Sequence, residues 1–80
     1  MVRVRSRNVW AVGYDADTCE LRVELRDGSL FAYAGVEEAV HAEFMAVPSK
    51  GNFLDRVLRE HYPVQQLAPG GLEHRHGDPA

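Results

Sequence analysis

The stretch Arg26-Asp-Gly-Ser-Leu-Phe-Ala-Tyr33, RDGSLFAY, follows a run of alternating residues, and the way its Asp-Gly turn closes decides which side chains reach a core. Upstream, Cys19, Leu21, Val23 and Leu25 alternate with Glu20, Arg22, Glu24 and Arg26. That is the period of a half-buried strand. A two-residue turn of Asp27 and Gly28 pairs Leu25 with Leu30 and Val23 with Ala32, leaving Phe31 and Tyr33 outside beside Glu24 and Arg22. A three-residue loop with Gly28 in a left-handed bulge instead pairs Val23 with Phe31 and Leu21 with Tyr33, and both rings become core. Chain size favours the second closure. A domain of 80 residues buries only about 60% of its unfolded surface, and each large apolar side chain taken inside contributes about 1.5–3 kcal/mol. Leu30 is then the exposed exception. Turned outward, the same two rings would form a stacking platform for bases, as in sheet-based RNA binders.

Working outward from the hairpin, Trp10, Val12 and Tyr14 repeat the two-residue period and read as core partners on one strand face, while Gly13 suggests a bulge or a close backbone approach. Asp15-Ala-Asp-Thr18 makes a polar turn. Val2 and Val4 alternate with Arg3 and Arg5 in a short edge strand. After Gly35 the period becomes helical, with Val36, Ala39, Val40, Phe44 and Val47 in one stripe and Glu37 and Glu38 in a first turn that favours negative charge. Pro48 stops this helix near Val47. Ser49 caps a second helix whose apolar positions are Phe53, Leu54, Val57 and Leu58. Asp55 with Arg59 and Arg56 with Glu60 stand at ion-pair spacing on it. Pro63 ends it, and Val64 to Leu67 form a short closing strand. The expected fold is α+β: a small antiparallel meander over residues 8–34, two helices on one face and the closing strand. Residues 1–67 make one domain, and residues 68–80, rich in Gly and Pro, read as a disordered tail.

Composition narrows the function classes. No apolar run approaches the ~20 residues that span a bilayer, and the first ten residues lack the apolar segment of a signal peptide, so the expected location is cytoplasmic with no membrane partner. Cys19 is the single cysteine, which rules out an internal disulfide. The net charge of −3 is unevenly spread. Arg3, Arg5 and Arg7 make residues 1–10 basic by three charges, whereas two arginines against eight acids leave residues 11–48 at −6. A second basic segment holds Lys50, Arg56 and Arg59. Arginine outnumbers lysine eight to one, which reads as genome composition rather than function.

An ordered set of short motifs carries a resemblance. Ser6, Val12-Gly13-Tyr14-Asp15, Asp27-Gly28, Phe31-Ala32-Tyr33, Gly35-Val36, Ser49-Lys50-Gly51 and Tyr62-Pro63 run in the order and spacing of the KTSC family over about residues 6–67. The chain resembles this family, whose members are similar to a C-terminal extension of some lysyl-tRNA synthetases and also occur as small single-domain bacterial proteins. Phe31 replaces the first tyrosine of the family's central aromatic pair, which removes one hydroxyl, and Glu37 replaces a proline after Gly-Val. Tyr14, Phe31 and Tyr33 are the positions that carry the family motif here. Attachment to a synthetase implies RNA or tRNA as a partner, by association rather than mechanism.

Two functions of different class follow. The first is a weak nucleic-acid-binding module, with Lys50, Arg56, Arg59, Arg3, Arg5 and Arg7 on phosphates and Ser49 and Gly51 shaping a helix start whose free N–H groups can hold a phosphate. The structural alternative is plain: Ser49 caps, Gly51 relieves crowding, Lys50 is solvated, and the N-terminal arginines protect an edge strand from pairing. The second function is a protein-interaction module or homodimer formed through an exposed sheet edge. No catalytic set has a recognisable local signature, and a core this thin scarcely encloses a pocket, so no enzyme, no cofactor and no metal are expected. Glu73, His74 and His76 form a weak metal-binding pattern in the tail. His41 and His61 read as surface or helix-end residues.

Overall fold

The computed structural model describes residues 1–71. The chain folds as an antiparallel meander, β1 (Val2–Arg3), β2 (Val9–Asp15), β3 (Glu20–Leu25), β4 (Leu30–Tyr33) and β5 (Val64–Ala68), in the sheet order β1-β2-β3-β4-β5. Two helices lie between β4 and β5 in sequence: α1 (Glu38–Ala46) and α2 (residues 50–61). Within α2 an α-helical start, Lys50–Phe53, widens into a π turn at Leu54–Leu58 and narrows again at Arg59–His61.

The hairpin closes through the three-residue loop. Leu25 N–H donates to Ser29 O at 2.8 Å and Gly28 N–H to Leu25 O at 3.1 Å. Gly28 sits at φ 92°, a left-handed conformation that L residues rarely adopt. The resulting register sets Leu21 opposite Tyr33 and Val23 opposite Phe31. Tyr33 is buried and Phe31 half-buried against the same core. Leu30, opposite Glu24 on the other face, is only half-exposed. The loop also holds the chain beyond β5: Gly71 N–H donates to Asp27 O at 2.8 Å.

The core fills the space between one sheet face and both helices. Val9, Val12, Leu21, Val23 and Tyr33 meet Val36, Phe44, Phe53, Leu54 and Leu58, with Phe44 and Phe53 rings 5.4 Å apart. Phe53, Leu54 and Leu58 are buried and Val57 half-buried, as the helical spacing requires. The stripe on α1 is narrower than expected. Val36 is buried ahead of the helix, Phe44 is its buried anchor, and Ala39 is exposed. Val47 is the C-cap, next to Pro48.

Three expectations are corrected. Trp10 is not a core partner of Tyr14: the register shifts between Val9 and Ala11, so Trp10 is the extra residue of a bulge and turns to the open sheet face. The bulge therefore lies at Trp10 and not at Gly13, which is instead approached by the Met1 side chain. Cys19 does not begin β3; it occupies a turn at φ 58°, and its carbonyl accepts from Val36 N–H at 2.8 Å. The closing strand extends one residue beyond expectation, through Ala68. The proposed metal pattern at residues 73–76 lies outside the described residues.

Gly28→Ala forces a methyl group into the left-handed loop, and a loss of about 1–2 kcal/mol is expected in urea unfolding. The Asp27 carboxyl is held below the usual carboxylate range by the Ser29 N–H, which donates at 2.9 Å, and by the Ser29 hydroxyl. Its folded pKa being lower than its unfolded one, its stabilisation is present above an unfolded value of about 3.9 and is lost as pH falls through the folded value. Asp27→Asn should flatten the acid limb of the stability profile. An unchanged limb would show that other carboxylates set it.

Candidate nucleic-acid interface

The bulge in β2 creates the most distinctive surface of the domain. It presents Trp10 on the sheet face that no helix covers, and the Arg3 guanidinium lies 3.4 Å from the centroid of its ring. Arg3 Nε also donates to Trp10 O at 3.0 Å, which fixes the stack to the backbone that carries the ring. The Arg26 guanidinium lies 5.4 Å from the same centroid, and its Nε donates to Ser6 O at 2.8 Å. Ser6 in turn accepts from Asn8 N–H at 3.3 Å and Val9 N–H at 3.2 Å, shaping the loop between β1 and β2. Arg5 and Arg7 flank Ser6 and are exposed. Two arginines, Arg3 and Arg26, thus meet at a single indole, and Arg5 and Arg7 lie in the loop that Arg26 holds through Ser6. Glu24 stands opposite Ala11 across the ladder.

The second basic segment is built differently. Ser49 caps α2 as expected, its Oγ accepting from Asn52 N–H at 3.4 Å. Lys50 is not the solvated, outward cation of either sequence reading. It is only 7% exposed, and its ammonium donates to Met45 O at 3.2 Å and Val47 O at 3.0 Å. These are carbonyls at the C-terminal end of α1, where the helix dipole is negative and the last turn of α1 has no basic residue of its own. Gly51 gives room for the β1–β2 loop, since a Cβ there would lie 2.8 Å from Asn8 Nδ2. Arg56 and Arg59 are exposed on α2. Arg59 pairs with Asp55 at 3.5 Å, whereas no Arg56–Glu60 pair forms among the described residues. Arg56 borders an apolar groove of about 300 Å³ lined by Val47, Pro48, Phe53 and Val57.

The motif aromatics serve packing. Tyr14 joins the core edge, donates its hydroxyl to Val36 O at 2.6 Å and stacks on His41 with centroids 4.4 Å apart and planes 10° from parallel. Its phenol is pushed above the usual tyrosine range by desolvation first, then by the neighbouring Cys19 thiol and the Glu38 and Glu37 carboxylates. Burial likewise raises Tyr33, against an opposing influence from Arg59. His41 is therefore a stacking partner rather than a free surface residue. Among the described residues no group of three or more His, Cys, Asp or Glu side chains is arranged to hold a metal ion, and no helix is long and apolar enough to cross a membrane.

The structure therefore splits the expected basic set: Arg3 meets Trp10 together with Arg26, Arg5 and Arg7 are exposed in the loop after β1, Arg56 and Arg59 stay on α2, and Lys50 is turned inward. Trp10 and Arg26 escaped the sequence reading of the site. One signal was present. The buried valines Val9 and Val12 are three residues apart, which breaks a two-residue period and marks an inserted residue between them. Lys50→Met should cost about 1.5–3 kcal/mol in denaturant unfolding, the range for hydrogen bonds made by a charged group. A change below about 0.5 kcal/mol would show that the ammonium is not holding α1.

Comparison with known proteins agrees with this fold. The KTSC domain family model matches residues 5–62. A KTSC domain protein from Yersinia pestis, solved by crystallography, is 33% identical and superposes with a TM-score of 0.77, the match covering 82% of this chain and 93% of that chain. A search of curated proteins found no match. The family model spans more than half of the chain, and a solved member shares both its fold and a third of its residues, so the chain belongs to the KTSC domain family.

Proposed function

We propose that this domain is a non-catalytic module that binds single-stranded RNA weakly through the Trp10 corner. The observation that carries the reading is the Arg3 guanidinium stacked 3.4 Å from the Trp10 ring, with Arg26 at 5.4 Å, on the uncovered face of the sheet. Aromatic rings and guanidinium planes both accept an unstacked base, at about 1–3 kcal/mol per base. Arg5, Arg7 and Arg26 supply cations for the flanking phosphates. A duplex keeps its bases stacked on one another and offers this flat corner only its backbone, which is why single strands are the favoured ligand. The acidic total charge weakens long-range attraction, so affinity rests on this local patch and stays low. Phe31 and Tyr33 contribute by packing beneath the sheet rather than by stacking on bases.

Trp10 is the only tryptophan, so its fluorescence reports on the proposed site directly. Titration with a single-stranded oligoribonucleotide should quench it at low salt. Binding should weaken steeply between about 50 and 200 mM salt, with a logarithmic slope of about −0.7 per phosphate contacted. Arg3→Glu and Arg26→Glu should each lower affinity at least tenfold. Arg56→Glu and Arg59→Glu, on the helix side, should change it less than about twofold. The absence of both quenching and any change in RNA anisotropy at low salt would refute RNA binding. Loss confined to the α2 variants would move the site to the helices.

A further inference from the structure

The two edges of the sheet are finished differently. β1 is two residues long and carries Arg3, the short charged kind of edge that resists pairing with another sheet. β5 is five residues, Val-Gln-Gln-Leu-Ala, with no charge and four exposed positions. Ala34 N–H donates to Pro63 O at 3.0 Å, and the ladder continues as Tyr33–Val64, Ala32–Gln65 and Phe31–Gln66. Hydrogen-bonded and open pairs alternate along an antiparallel ladder. Gln65 therefore turns its backbone polar groups toward β4, while Val64 and Gln66 turn theirs to the open edge.

Side chains along this strand complement one another. The register shift between Leu30 and Phe31 inserts Leu67 as an extra residue beside Ala68, which places it on the outer sheet face, where it is 38% exposed. On that same face, Thr18, Glu20, Ala32, Ala34, Pro63 and Gln65 border a shallow recess of about 350 Å³. An apolar knob, Leu67, and a recess floored by alanines and bordered by Glu20 thus lie two positions apart along a strand that itself carries no charge.

We propose that β5 pairs antiparallel with β5 of a second copy of this chain, across a two-fold axis at Gln66, joining the two five-stranded sheets into one. In this register Gln66 faces its own counterpart, and Leu67 stands opposite Gln65 at the rim of the other copy's recess. The contact is made twice, as an isologous interface requires. A self-complementary strand favours a second copy over an unrelated extended peptide. Pairing over five residues buries less than the ~1,600 Å² of a standard interface, so the dimer forms in a concentration-dependent way.

The test is sedimentation of the full chain from micromolar to millimolar concentration, with amide hydrogen exchange at each end of the range. The mass should rise toward that of a dimer, and the Gln66 amide should slow as it does. Gln66→Pro removes an N–H from the open edge while leaving the ladder to β4 intact, and Leu67→Glu places like charges near the axis. Each variant should keep the wild-type circular dichroism spectrum and weaken association at least tenfold. A monomer at all concentrations would overturn the proposal, as would a dimer that Leu67→Glu leaves unchanged, or protection appearing at β1 or the helices instead. A monomer that captures an extended peptide on β5 would also overturn it, by assigning the edge to a different occupant.

Discussion

The left-handed residue at Gly28 is the constraint on which the rest of the domain depends. With φ at 92°, the loop takes three residues instead of two, and that count fixes which side of β4 faces the helices. One residue fewer would exchange Phe31 and Tyr33 for Leu30 and Ala32 on the inner face. The inner layer would then lose its two rings over β4, and Phe44, Leu54 and Leu58 would close over a void. Asp27 and Ser29 reinforce the choice from inside the loop, and the same loop secures the chain after β5 through Gly71.

With the rings committed to the core, the open face of the sheet takes its character from β2. The bulge at Trp10 is a second instance of the same logic: one extra residue inverts a side chain's direction without altering the strand on either side. It carries the indole away from Tyr14 and into the company of Arg3 and Arg26. The helix side, by contrast, uses its lysine inwardly. Lys50 holds the end of α1 while Ser49 begins α2, so two neighbouring residues join one helix to the next. This junction explains the Ser-Lys-Gly motif in structural terms, with Gly51 admitting the β1–β2 loop.

Much of this architecture was legible in the sequence because its signals are periodic. The alternation from Leu21 to Leu25, the helical spacing of Phe53, Leu54, Val57 and Leu58, and the prolines at 48 and 63 each report a local rule that packing then obeyed. Hairpin parity was also within reach, since the thin core of a small domain made burial of both rings the more stable choice. What escaped depends on long-range contact. Residue type and capping position gave no hint that Lys50 would fold back on α1, since the carbonyls it meets are exposed only once that helix has ended. Trp10 misled because aromatic residues on a strand are ordinarily core, and only the three-residue spacing of Val9 and Val12 hinted otherwise. Arg26 drew no notice as the last polar residue of a regular alternation, yet the Ser6 loop brings it to the indole.

The claim that hairpin parity buries the motif rings and leaves Trp10 at the working surface is tested most directly by a ¹H–¹⁵N correlation spectrum of the labelled chain, recorded as single-stranded RNA is added at low salt. The Trp10 indole signal and the amides from Arg3 to Ala11 should move, with those of Phe31 and Tyr33 and of α2 nearly still. Perturbation centred on Phe31 and Tyr33, or confined to α2 with the indole unmoved, would contradict it.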